Sequence, residues 1–261
     1  MSMRSILVHA DASSTGVVRL ETGLSLARMT GGHVTLLVDT PIARFIAVDA
    51  LGGGSVAAEA IREAVAEDDE FARRIEARVS REDVPCDVVR SEGEPVDAIS
   101  DSARLADVTI VSRRSALASD LPVASRAAVL AVNDERPLCF PVARVAIAWD
   151  GSAEAAYALR CAVPLLAGAQ VDVLTVEDLP AEFPATDALA YLSRHGVNAE
   201  LLVLERGGSI EETLARELVL KQTDLLVMGA FSHSRLREFL FGGVTRYFLE
   251  HPQGPALLLA H

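Results

Sequence analysis

Asp224-Leu-Leu-Val-Met-Gly229-Ala-Phe-Ser232-His233-Ser-Arg-Leu-Arg-Glu-Phe-Leu-Phe-Gly242-Gly243-Val244-Thr245-Arg246-Tyr-Phe-Leu-Glu-His251-Pro is the stretch that decides the fold. An apolar run ends on a glycine, a polar loop follows, and a glycine pair opens a helical segment. Strand, loop and helix in that order place free backbone N–H groups and a helix N-terminus beside the carboxyl end of a strand. A phosphate suits such a place, because unpaired donors and the positive end of the helix dipole converge there.

Working outward, the same plan occurs twice. Ser5-Ile-Leu-Val-His-Ala-Asp11-Ala-Ser13 and Val145-Ala-Ile-Ala-Trp-Asp150-Gly-Ser152 are short apolar runs that close on Asp-x-Ser. Each is followed by a helical stretch, 17–29 and 153–167, with Ser13 and Ser152 placed to cap it. Second strands follow at 33–39 and 171–177, third strands at 84–90 and 198–205, fourth at 106–112 and 223–229, and fifth at 136–141 and 254–259. Each half thus reads β-α-β-α-β-α-β-α-β, with short strands apolar on both faces, which is the pattern of a parallel sheet covered by helices on both sides. The expectation is an α/β chain of two tandem Rossmann-like domains, each a five-stranded parallel sheet flanked by helices, over 1–142 and 143–261. Ligands on such sheets bind at the carboxyl ends of strands.

The halves differ between their second and third strands. The first carries Gly52-Gly-Gly-Ser and a long helix over 56–81, charged on one side and with Ile61, Val65, Phe71 and Ile75 directed to the core. The glycines are not followed by Gly-Lys-Ser/Thr, so a flexible linker is a better reading than a phosphate loop.

Composition narrows the function. A net charge of -13 and a pI near 4.9 disfavour nucleic acid and anionic lipid as partners. No apolar run reaches the roughly 18 residues of a membrane span, and the amino terminus lacks a signal-peptide core, so the expectation is a cytoplasmic protein. Cys86, Cys139 and Cys161 stand in separate apolar runs without CxxC spacing and are expected to be buried, inert thiols. No HxxxH, HExxH or GxSxG pattern occurs, so neither a metal centre nor a hydrolase elbow is indicated.

The Asp-Gly-Ser start and the Gly-loop-Gly-helix finish resemble the universal stress protein family in its tandem form, strongly over 144–178 and 224–261 and faintly elsewhere. The resemblance implies an adenine nucleotide alpha hydrolase-like fold and, as ligand, ATP or another adenine nucleotide, leaving open whether Mg accompanies it. The binders' pattern is Gly, two residues, Gly, nine residues, Gly, then Ser or Thr. Gly229 and Gly242 match it; Ser232 stands at the second glycine, Gly243 at the hydroxyl position, and Thr245 lies two residues late. The resemblance carries over Asp150 to ribose and adenine, Val176 to a backbone contact with adenine, and Gly229, Ser232, His233, Gly242, Gly243, Val244 and Thr245 to the phosphates. Arg235, Arg237 and Arg246 add positive charge nearby, although surface solvation suits each equally well.

Ser112 replaces the first glycine in the first half, and no glycine occurs between Gly93 and Gly151. That half is expected to be a structural copy without a competent nucleotide site. The final strand, 256–261, is expected to pair across a sheet edge, which makes the chain a pseudo-dimeric monomer or half of a homodimer. The leading expectation is a stress-response factor that binds its nucleotide in a regulatory role. The alternatives are an interaction protein that binds no nucleotide and an enzyme on the same fold, at most a slow ATPase, for which no catalytic residues stand out.

Overall fold

The computed structural model describes residues 3–41, 54–177, 183–231, 243–251 and 254–261, the side chains of 54–57 excepted. Ten strands form one sheet: β1 (Ser5–Ala10), β2 (His33–Asp39), β3 (Cys86–Ser91), β4 (Val108–Ser112), β5 (Ala128–Val132), β6 (Arg144–Ala148), β7 (Gln170–Val176), β8 (Ala199–Leu204), β9 (Leu225–Gly229) and β10 (Ala256–Ala260). The helices are α1 (Ser14–Thr30), α2 (Gly54–Val79), α3 (Pro95–Ser102), α4 (Leu117–Ala124), α5 (Ala153–Ala162), α6 (Ala185–Arg194), α7 (Ile210–Leu220) and α8 (Gly243–Glu250).

The strand order is β3-β2-β1-β4-β5-β10-β9-β6-β7-β8. Every neighbouring pair is parallel except β5 and β10, which run antiparallel with Leu257 opposite Ala131, Leu258 opposite Leu130 and Leu259 opposite Val129. The expected edge pairing of the last strand is therefore met inside the chain. Helices α1, α2, α5 and α6 bury one face of the sheet and α3, α4, α7 and α8 the other. β4, β5 and β10 are buried along their whole length, as strands covered on both faces must be.

Local chemistry sets the boundaries. Ser13 and Ser152 cap α1 and α5 as expected, their hydroxyls accepting from the N–H of Gly16 and Ala155. Ser209 and Glu212 form a full capping box on α7, and α1 stops at Gly31 in the left-handed region. In the long helix, Ala72 is the fully buried residue, flanked by Phe71 and Ile75, while Ile61 and Val65 stay half-exposed. Gly52 and Gly53 lie outside the described residues.

Two expectations are corrected. The fifth strand of the first half is β5 at Ala128–Val132 and not 136–141, where Pro137 and Pro141 have no N–H to give a sheet ladder. Of the three thiols only Cys161 is buried; Cys86 is half-buried and Cys139 exposed. Cys139 sits between Leu138 and Phe140, which turn in to pack on the core and whose N–H groups donate to Thr22 Oγ1 and Ser25 Oγ of α1. Extended backbone sends alternate side chains to opposite sides, so Cys139 faces out.

Leu258 lies at the centre of the β5–β10 pairing and is completely buried. Leu258→Ala should lower unfolding free energy by about 2–5 kcal/mol in a urea titration, the cost of a cavity in a core that cannot collapse.

Candidate functional site

The carboxyl ends of β9, β6 and β7 lie side by side, and the chain leaves β6 on one side toward β7 and returns on the other at β9. This is a topological switch point, where the flanking connections diverge and leave a crevice. Asp150, Val176 and Gly229 stand at these strand ends. The crossover from β9 to its parallel neighbour β10 puts the first residue of α8, Gly243, at the same edge. Ser232, His233 and Gly242 lie outside the described residues.

Asp150 Oδ1 accepts from Ser152 N at 3.0 Å and from Ser152 Oγ at 2.6 Å, with Gly151 at φ 77° making the turn. Among the described residues no cation meets the other carboxylate oxygen. Val176 is buried, and the next residue, Glu177, is tied through its N–H to Leu204 O. Trp149 turns its indole into the core and donates Nε1–H to Phe183 O at 3.1 Å.

Gly229 has a packing role that the spacing alone does not reveal. A Cβ there would lie 2.7 Å from Ala155 N and 2.8 Å from Glu154 C, so its absence lets the first turn of α5 rest on the strand end. Gly243 is exposed and a Cβ on it would meet open space. The first N–H groups of α8 have no acceptor within the helix. Val244 is half-buried against the core, and Thr245, 3% exposed, is turned inward. Arg246 is engaged with Glu250 at 2.7 Å one helical turn on, and that hydrogen bond raises its pKa above the ordinary value. At the neighbouring strand end, His261 Nδ1 lies 2.8 Å from Ala230 O, and Phe231 leaves the sheet at φ 55°.

The equivalent edge of the first half is filled by its own charges. Arg19, 2% exposed, reaches across the strand ends. Its Nε donates to His9 O at 2.7 Å, its Nη1 to Thr15 Oγ1 at 3.1 Å and to Ser112 Oγ, and its Nη2 pairs with Asp11 Oδ2 at 2.7 Å. Ser13 takes the other oxygen of Asp11. Beside this cluster, His9 Nε2 lies 2.7 Å from Asp39 Oδ1, and Thr40 donates to Asp68 at 2.6 Å. The sequence reading missed Arg19, His9 and Asp39. A signal for Arg19 was present: it interrupts the apolar run Val17-Val18-Arg19-Leu20. Counted equally from Asp11 and Asp150, its counterpart in the second half is Ala158, and that of His9 is Ala148.

Residues 142–259 match the model of the universal stress protein family. No curated protein matches. A universal stress protein from Archaeoglobus fulgidus is similar at 15% identity over 100% of this chain and 99% of its own, with a TM-score of 0.73. A putative universal stress protein from Pseudomonas aeruginosa is similar at 15% identity over 99% and 93%, with a TM-score of 0.62. A functionally unknown protein from the same species is similar at 14% identity over 99% and 92%, with a TM-score of 0.63. These three share the fold across both halves.

Two outcomes follow from the glycines and the plug. Gly229→Ala should destabilise by about 1–3 kcal/mol, because backbone of α5 must move, whereas Gly243→Ala should change unfolding free energy by less than about 1 kcal/mol. Burial would raise the Asp11 carboxyl, but the Ser13 hydrogen bonds and the Arg19 charge outweigh it and leave it below the ordinary value. A carboxyl with its folded pKa below its unfolded one contributes stability above the unfolded value, near 4, and loses it as pH falls through the folded value. The advantage of the natural protein over Asp11→Asn in urea midpoint should therefore be full at pH 7 and shrink progressively as pH is lowered below the unfolded value.

Proposed function

With its second half a universal stress protein domain over residues 142–259, the chain belongs to that family, and we propose that this half binds an adenine nucleotide in a regulatory role. In this reading the chain divides at 142/143 into a first domain with a closed site and a second with an open one. The observation that carries it is the contrast between two aspartates at equivalent strand ends. Asp11 has both oxygens engaged, one by Ser13 and one by the buried Arg19. Asp150 has one engaged by Ser152 and, among the described residues, no cation at the other. A carboxylate oxygen at a switch point suits ribose hydroxyls, which donate to it.

Val176 then flanks the base from the next strand end. Gly243 and Val244 offer backbone N–H groups and the positive end of the α8 dipole to a phosphate. Gly229 serves by letting α5 close up against β9, which shapes the floor of the crevice. Thr245, being buried, contributes to the seat of α8, and the phosphate contacts fall to backbone. Among the described residues no three His, Cys, Asp or Glu side chains gather as a metal site, so magnesium would arrive with the phosphates. Nothing in this arrangement activates a nucleophile, and the role proposed is binding without efficient turnover. No helix among the described residues is long and apolar enough to cross a membrane.

A second reading has its own observation. The Arg19 plug shows that this fold persists with a charge pair where a ligand would bind, so the chain would also serve as an interaction protein with no nucleotide at all.

The test is direct. Protein denatured after purification should release adenine nucleotide on chromatography, and ADP or ATP at about a hundred times Kd should add ~2.7 kcal/mol to stability, seen as a rise in melting temperature. Asp150→Asn keeps the Ser152 turn but removes the charge, and should weaken binding by about tenfold. If no nucleotide is released and none at millimolar concentration shifts melting, the interaction reading replaces this one.

A further inference from the structure

Arg113 directly follows β4 and is 3% exposed, yet no carboxylate among the described residues lies within ion-pair distance of it. Its acceptors are backbone. Nη1 donates to Pro255 O at 2.7 Å and Nη2 to His251 O at 2.6 Å. Asn133, just past β5, donates from Nδ2 to Gly254 O at 3.2 Å. The acceptors all belong to the second half, where α8 ends and the chain approaches β10. Gly254 makes the contact feasible, since a Cβ there would lie 3.0 Å from Nη1.

The carbonyls at a helix C-terminus have no donors within the helix and carry the negative end of its dipole, so a guanidinium there satisfies both. Burial pulls the Arg113 guanidinium below its ordinary pKa, with the Asp134 carboxylate opposing that pull. A buried cation that loses its acceptors is costly, so α8 has one favoured seat. The first half also supplies a wall for it: α4 packs on α8, with Leu121 and Phe248 in the same core. At eight residues α8 is about 12 Å long and rigid, so what fixes its end at His251 also fixes its start at Gly243.

The geometry points to Arg113 as a positioning residue for the nucleotide site of the other half: the first half holds the C-terminal end of the helix whose N-terminus faces the phosphate. This inference rests on the nucleotide reading of that N-terminus. It also gives the closed first half a task, as the brace against which the open half is set.

Two measurements on the full chain test it: hydrogen exchange of the 243–246 amides without ligand, and ADP affinity by calorimetry. Arg113→Met keeps the length but removes donors and charge; it should speed exchange at 243–246 and weaken ADP binding by about tenfold. Arg113→Lys, able to reach one carbonyl, should fall between it and the natural protein. Val34→Ala, at a fully buried position of β2 four strands away from β10, should lower the melting temperature and leave both readouts unchanged. If Arg113→Met lowers melting but alters neither exchange nor affinity, or if Val34→Ala alters them equally, Arg113 only stabilises the fold and the inference is overturned. Should Arg113→Met not fold, Arg113→Lys decides by the same criteria. If the natural protein binds no ADP, the nucleotide reading fails by itself, and exchange at 243–246 alone decides whether Arg113 positions the helix.

Discussion

Leu257, Leu258 and Leu259 hydrogen-bond on one side to their own half through β9 and on the other to the opposite half through β5. Without that second side, β5 and β10 would each be a flat, wholly apolar edge, the kind of strand that pairs with whatever chain it meets. Pairing them closes both hazards at once and merges two five-stranded sheets into one of ten. Because the join is antiparallel, the strand directions reverse across it, and the carboxyl ends of the two halves point to opposite edges. The two equivalent crevices therefore lie far apart on the sheet. The carboxyl end of β4 and β5 in the first half instead meets the amino end of β10 in the second. Arg113 and Asn133, which in a lone domain would face solvent at its ligand edge, are brought by this reversal against the end of α8.

The halves solve one packing problem in two ways. A helix must cross the strand that bears the first site residue. In the second half it does so by close approach, with Gly229 and Ala158 both small and α5 resting on bare backbone. In the first half Ser112 stands in place of the glycine, and the Arg19 side chain of α1 lies across the strand ends, held by His9 O, Thr15, Ser112 and Asp11. A buried charge is tolerable only when it is paired and hydrogen-bonded, and here Asp11 pairs with Nη2 while His9 O, Thr15 and Ser112 take the other donors.

Much of this was legible in the sequence. The alternation of short apolar runs and helical periods specified nine of the ten strands, the fifth of the first half lying at Ala128–Val132 and not at 136–141, and Asp-x-Ser marked both helix starts, because periodicity and capping are local properties. The location of the crevice was legible as well, from strand ends and glycines. The plug was not, since Arg19 and Ser112 stand far apart in the chain and only the sheet brings them together. Nor was the role of Gly229, which read as a concession to a phosphate and turns out to admit a helix. Arg113 carried no signal, since a charged residue after a strand usually faces water; its partners are carbonyls, which leave no signature in sequence. Cys139 was misplaced because an apolar run says nothing of which alternate side chains turn outward.

Backbone acceptors also shape what the Arg113 contact tolerates. Side chains at positions 251 and 255 can vary without touching the carbonyls it uses, so the second half is nearly unconstrained in sequence there. The exception is Gly254, where any side chain would press on Nη1. On the first-half side the demand is strict: the residue must be long, planar and cationic, with two donors splayed to two carbonyls, and a lysine meets only part of it. A joint of this kind places the sequence constraint almost wholly on the first half. The second half is left almost unconstrained at the joint, provided that one glycine remains where α8 ends and β10 begins.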